Sequence, residues 1–159
     1  METSEMIKHT KLSAIYLLAV GIFNIGVWIM LILTGQVTNI REELISFLFH
    51  WTSELGMAGM LIISGIKIWQ SGKNQRALFF FSTGLLMIAI AGALIYYLIH
   101  FDPAMVVMGA VITSATLILI FIQYGHVNDL LYLAAGMILY GAINVAGEAI
   151  QHQHQSIIT

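Results

Sequence analysis

Two glutamates stand within apolar runs, and each has a histidine four residues away. The pairs read His50-Trp-Thr-Ser-Glu54 and Glu148-Ala-Ile-Gln-His152. Residues four apart share one face of a helix, so each pair presents an imidazole beside a carboxylate. Such donors can hold a divalent transition metal. Imidazole suits Zn, Cu, Fe or Ni, and mixed carboxylate ligation suits Fe or Mn. The same groups can pass protons, because burial disfavours the charged form of a carboxyl and moves its proton exchange toward neutrality. Axial ligation of haem by two histidines on different helices is a third use, and no further motif supports it. The Glu-x-x-His spacing of di-iron bundles is absent. So is the His-Glu-x-x-His of zincin proteases. An activity class is therefore not readable from these motifs.

The background explains why these few polar groups matter. Of 159 residues, 59% are hydrophobic and 9% are charged, against about 25% charged in ordinary soluble domains. The mean hydropathy is +0.90. A chain of this length is read as one domain spanning 1–159. A net charge of −2 gives no electrostatic footprint for nucleic acid, so no nucleic-acid partner is expected. With no cysteine there are no disulfides, thiolate ligands or cysteine nucleophiles. The fourteen glycines fall mostly inside apolar segments, where membrane helices use small residues for close approach.

Five stretches reach the roughly 20 apolar residues that a membrane helix needs: about 12–35, 44–69, 77–100, 104–124 and 130–150. The first follows Lys8, His9 and Lys11, but it is long and lacks a small-residue cleavage site, so it reads as a retained span. Short linkers, including the tight turn at Asp102-Pro103, make successive spans antiparallel neighbours. The expected fold class is all-α integral membrane, with five transmembrane helices in an up-down antiparallel bundle. Lys8, Lys11, Lys67, Lys73 and Arg76 fall on one side of that bundle and only Arg41 on the other. The positive-inside rule then puts the N-terminus in the cytoplasm and the C-terminus outside.

That topology gathers the polar residues. His50 lies in the outer part of span two, with Glu54 one turn, about 6 Å, deeper. His100 and Asp102 close span three at the outer end, and Glu148 and His152 close span five there. Tyr140, Asn144, Glu148 and His152 form one stripe on span five, which should face the bundle interior because polar groups facing lipid are costly. The expected metal ligands are His50, Glu54, His100, Glu148 and His152, with Tyr140 and Asn144 as supporting hydrogen-bond donors. His126 and Asp129 fall on the cytoplasmic side, apart from this group.

Plainer roles compete with each of these. Glu54 protonated and hydrogen-bonded to Asn144 or a backbone carbonyl would be interhelical glue. His100 and His152 lie at the interface, where an imidazole needs no special partner. Residues 151–155 read as a polar tail, and Thr113, Ser114 and Thr116 can satisfy their hydroxyls on their own helix. The nine methionines and Phe79-Phe80-Phe81 read as packing or lipid-facing residues.

Span two, with His50-Trp-Thr-Ser-Glu54 and Leu61-Ile-Ile-Ser-Gly65, and span five, with Gly136-Met-Ile-Leu-Tyr140 and Asn144, carry a resemblance. They are similar to uncharacterised small bacterial multi-helix membrane proteins with an H-x-x-x-E helix and a later G-M-x-x-Y helix. The resemblance implies a bacterial type of membrane origin and carries no activity.

The sequence thus leads to a multi-pass plasma (inner) membrane protein with an outward-facing His/Glu site. That site would bind a metal ion (Zn, Fe, Cu or Mn) or a small polar ligand, or handle protons. The alternative is a non-catalytic helix-packing subunit of a membrane complex or homo-oligomer, with membrane lipid as its other partner. A transporter is disfavoured, since five helices are few for an inverted repeat without dimerisation.

Overall fold

The computed structural model describes residues 10–35, 44–70 and 75–158. Five helices account for almost all of them: α1 (Thr10–Leu33), α2 (Leu44–Gln70), α3 (Gln75–Ile99), α4 (Pro103–Gln123) and α5 (Val127–Ile158). The fold of the described residues is all-helical because the apolar runs are long and carry no proline except at the α3–α4 turn. Residues 151–155, expected as a polar tail, continue α5 as helix. The linkers at 36–43 and 71–74, with Arg41 and Lys73, lie outside the described residues, as does Lys8.

The α3–α4 connection shows how so short a link can reverse the chain. Phe101 takes a left-handed conformation at φ 53°. Its N–H donates to the Leu98 carbonyl at 3.5 Å and that of Asp102 to the Tyr97 carbonyl at 3.1 Å, closing α3 with a Schellman-type cap. Asp102 then caps α4, its Oδ1 accepting from the Met105 N–H at 3.3 Å. Pro103 occupies the first turn, where its missing N–H costs nothing.

Helix α2 is the hub, packed against α1, α3 and α5, while α3 also packs against α4 and α5. Between α1 and α2 the paired positions run in opposite order. A Cβ on Gly21 would meet the Ala58 carbonyl, and one on Gly65 the Ala14 carbonyl. Between α3 and α5 the pairs Arg76 with Asp129 and Gly84 with Leu133 run in the same order, and here a glycine on each helix faces the backbone of the other. A Cβ on Gly84 would overlap the Leu133 carbonyl, and one on Gly136 the Phe81 carbonyl. This is the close approach that small residues permit between apolar helices.

Hydroxyls bind the remaining surfaces. Tyr16 of α1 donates to the Ile112 carbonyl of α4 at 3.0 Å, and Ser64 of α2 meets Ser82 of α3 at 2.6 Å. Thr113 bonds the Gly109 carbonyl on its own helix, as expected, whereas Thr116 also meets Tyr16 at 2.5 Å across the bundle.

Helices α1, α3, α4 and α5 are long and apolar enough to cross a membrane. Helix α2 has the length but carries the polar run from His50 to Glu54 and Lys67 within it. The outward faces of all five are apolar: Ile22, Leu48, Ile95, Val111, Phe121 and Ile138 are exposed on them.

Candidate functional site

The polar face of α2 meets the polar stripe of α5, and α1 closes over the join. Going down the interface, Ser46 meets Glu148, His50 meets Asn144, and Glu54 meets Tyr140. Each step of four residues on α2 is matched by four on α5 in the opposite sense. The stripe therefore faces the bundle interior at Tyr140 and Asn144, as its polarity requires.

Glu54 lies at the bottom of this ladder, 7% exposed. Its Oε1 accepts from the Tyr140 hydroxyl. Its Oε2 accepts from the Trp28 indole N–H of α1 at 3.2 Å. Two donors from two other helices thus offset part of the cost of burying a carboxyl group. His50 sits one turn above, Nε2 at 3.9 Å from Glu54 Oε1, with its side chain 42% exposed. Its Nδ1 is 2.7 Å from Asn144 Oδ1. The Trp28 ring stands edge-on to the imidazole at 5.4 Å. Asn144 is anchored in turn, its amide nitrogen donating to Ser53 Oγ at 3.0 Å and to the Tyr140 carbonyl at 2.9 Å.

The other expected ligands stand apart from this pair. Glu148 is exposed and accepts from the Ser46 hydroxyl near the start of α2. There it also complements the positive end of the helix dipole. Gln151 caps the same end, Oε1 accepting from the N–H groups of Ile45 at 2.9 Å and Ser46 at 3.2 Å. Those donors have no partner within α2, so a side chain from α5 supplies what a cap residue would. His152 is exposed, lining an open depression on α5 with Asn144, Val145, Glu148 and Ala149. His100 stacks on Tyr96 at 4.0 Å, with Nδ1 2.8 Å from the Tyr96 carbonyl of its own helix. Asp102 serves as the α4 cap. Among the described residues, no three histidine or carboxylate side chains converge as a metal-holding group.

Trp28, Ser46, Ser53 and Gln151 were not anticipated. Antiparallel packing of α1 on α2 brings the later half of α1 beside residues 50–54, so Trp28 was within reach of a sequence argument. Ser53 and Gln151 carried no signal, because neighbouring backbone satisfies such side chains as readily as a distant partner. At the opposite end of the bundle, Asp129 is buried with Arg76 of α3. Arg76 donates through Nε to Asp129 Oδ1 at 3.2 Å and through its terminal nitrogen to Oδ2. Asp129 also accepts from the N–H groups of Gly125 and His126, both at 3.0 Å. This pair fastens α3 to the α4–α5 turn and shares no side chain with the Glu54 network.

A family model described as a domain of unknown function (DUF8058) matches residues 7–130. The matched stretch holds Trp28, His50 and Glu54 and ends before Tyr140 and Asn144. No curated protein and no solved structure matches the chain.

Proposed function

The chain belongs to the DUF8058 family, a domain of unknown function, and from its site we propose that it is a five-span membrane protein exchanging protons at Glu54 and His50. The reading places the N-terminus in the cytoplasm, the C-terminus outside, and the protein in the plasma membrane. Four helices long and apolar enough to span support it, as does the five-to-one bias of basic residues along the chain. Helix α2 completes the set, since His50, Ser53 and Glu54 meet side chains of α1 and α5 rather than lipid. The site then opens toward the outer surface.

The observation that carries the reading is the continuity from His50 to Glu54. A half-exposed imidazole stands 3.9 Å from a carboxyl that is otherwise enclosed by Trp28 and Tyr140. An ionisable group within a membrane helix is a functional-site hypothesis by default, and here its route to the surface is a second ionisable group. Glu54 is the proton acceptor at depth, and His50 is the relay to the outer solution.

Infrared difference spectroscopy across a pH step tests this directly. A protonated-carboxyl band should rise and fall in the wild type and vanish in Glu54→Gln, while the helical bands stay unchanged. No band assignable to Glu54 over the pH range of the folded protein would leave only a packing carboxylate, and with it the helix-packing subunit. Elemental analysis of the same samples decides between proton and metal, since near-stoichiometric metal lost in Glu54→Gln would replace the proton reading. The absence of cysteine makes orientation equally accessible. A membrane-impermeant thiol reagent should label His154→Cys, but not Lys73→Cys, from outside.

A further inference from the structure

The hydrogen bonds around Asn144 determine which nitrogen of His50 carries a hydrogen. The Tyr140 main-chain carbonyl can only accept, and it lies 2.9 Å from the Asn144 amide nitrogen. The Ser53 hydroxyl gives its hydrogen to the His50 carbonyl at 2.6 Å, so toward Asn144 at 3.0 Å it is an acceptor as well. Both contacts therefore require the NH2 side of the amide. The Asn144 oxygen is left facing His50 Nδ1 at 2.7 Å. An amide oxygen only accepts, so Nδ1 must be the nitrogen that donates. In a neutral imidazole the remaining nitrogen, Nε2, is then a bare lone pair. Nε2 is the atom that faces Glu54 Oε1, 3.9 Å away.

We propose that Asn144 is a positioning residue that holds neutral His50 as its Nδ1–H tautomer, so that Nε2 is the atom that takes the proton of Glu54. This rests on the proton-exchange reading above and specifies how the exchange is directed. In the step, the O–H bond of the Glu54 carboxyl breaks, its electron pair stays on the carboxylate, and an N–H bond forms at Nε2. The resulting imidazolium keeps its Nδ1–H bond to Asn144 and later releases the Nε2 proton toward the outer solution. The transfer takes place when the 3.9 Å gap shortens to hydrogen-bond length. The opposite tautomer would aim a hydrogen at Glu54 and accept nothing from it.

Among the described residues, the groups facing the imidazole are few. Glu54 comes from its own helix, the edge-on ring of Trp28 from α1, and Asn144 from α5, with Tyr140 a turn below. The Trp28 N–H and the Tyr140 O–H are both directed to Glu54 and do not compete for Nε2. Asn144 is thus the group that selects the tautomer.

Nitrogen NMR of the full-length protein, labelled with 15N-histidine and purified in mild detergent, reads this state directly. The His50 signals are assigned by their loss in His50→Gln. With His50 neutral, the wild type should show the hydrogen on Nδ1. Asn144→Leu should move it wholly or partly to Nε2, the form that imidazole favours in water. Asn144→Asp, which keeps an oxygen acceptor, should restore Nδ1–H. A wild-type hydrogen on Nε2, or an Nδ1–H state unchanged in Asn144→Leu, overturns the proposal. The wild-type spectrum decides even where a variant folds poorly. A correct tautomer without a titrating Glu54 band would refute the proton-exchange reading and leave the hold of Asn144 on His50 standing. A titrating Glu54 with the wrong tautomer would refute this inference alone.

Discussion

Replacing Tyr140 by Phe removes one hydroxyl from Glu54 and leaves the buried ring in place, so it measures what state the carboxyl is in. Between helices in a membrane, hydrogen bonds average about 0.6 kcal/mol. A bond to a charged group contributes about 1.5–3 kcal/mol. Trp28 still donates to the other oxygen at 3.2 Å, so Glu54 is not stripped bare, and the lower end of the charged range applies. Tyr140→Phe should therefore cost about 1.5 kcal/mol if Glu54 is ionised and about 0.6 kcal/mol if it is protonated. In a Glu54→Gln background the amide oxygen still accepts but never carries charge, so the neutral figure should hold at every pH. The cycle of four proteins, unfolded reversibly by a denaturing detergent in mixed micelles, then yields a coupling of about 1 kcal/mol at a pH where Glu54 is ionised. The sign follows from the carboxylate. Stability from a bond to the charged form is present while Glu54 is ionised and is lost as falling pH protonates it. Acidification should therefore shrink the coupling toward zero. An equal cost of Tyr140→Phe in both backgrounds at neutral and acidic pH would refute the reasoning, because Glu54 would then behave as uncharged glue throughout.

Two further comparisons test the frame that holds the site. Asp129→Ala takes the carboxylate from the largely buried Arg76 guanidinium, which keeps its bond to the Gln123 carbonyl. It should cost about 3 kcal/mol in the same unfolding assay, the low end for a broken buried pair, whereas replacing both residues by apolar ones should recover much of the loss. Gly136→Ala should lower stability by about 1–3 kcal/mol by forcing apart the backbones of α3 and α5. Gly141→Ala, with open space around its Cβ position, should leave stability unchanged or slightly raised; a matching loss at both glycines would refute the close-packing account.

The helices were legible because a membrane-length apolar run has few other ways to satisfy its backbone. The inward turn of Tyr140 and Asn144 was legible for a related reason, since a polar stripe at intervals of four has one inexpensive side to face. The expected cluster, however, was drawn from sidedness alone. His50, Glu54, Asn144 and Tyr140 meet because α2 and α5 pack directly, although two helices separate them in the chain. No linker length could announce that. His100 shares the same end of the bundle by topology, yet it rests on Tyr96 of its own helix. Glu148 has the spacing of a ligand and is engaged instead at the start of α2. Arg76 was read as a charge that orients the bundle, with no sign that it also pairs with Asp129 across the fold.

The helix without a long enough apolar window to cross a membrane on composition alone, α2, has neighbours on three sides, and that coincidence links the fold to the site. A hydropathy average over α2 counts His50, Ser53 and Glu54 against a membrane position, because it weighs every face alike. Burial acts on single faces. Once α1 and α5 cover the polar face, those residues face donors and acceptors rather than hydrocarbon: Trp28 and Tyr140 for Glu54, and Asn144 for His50 and Ser53. Each of these contacts comes from another helix, so the network exists only when α1, α2 and α5 are assembled. A change that separates α5 from α2 would therefore remove the tautomer control at His50 and one donor to Glu54 together. Coupled loss of both on a single perturbation of the helix interface is the behaviour that distinguishes one site from a set of independently satisfied polar residues.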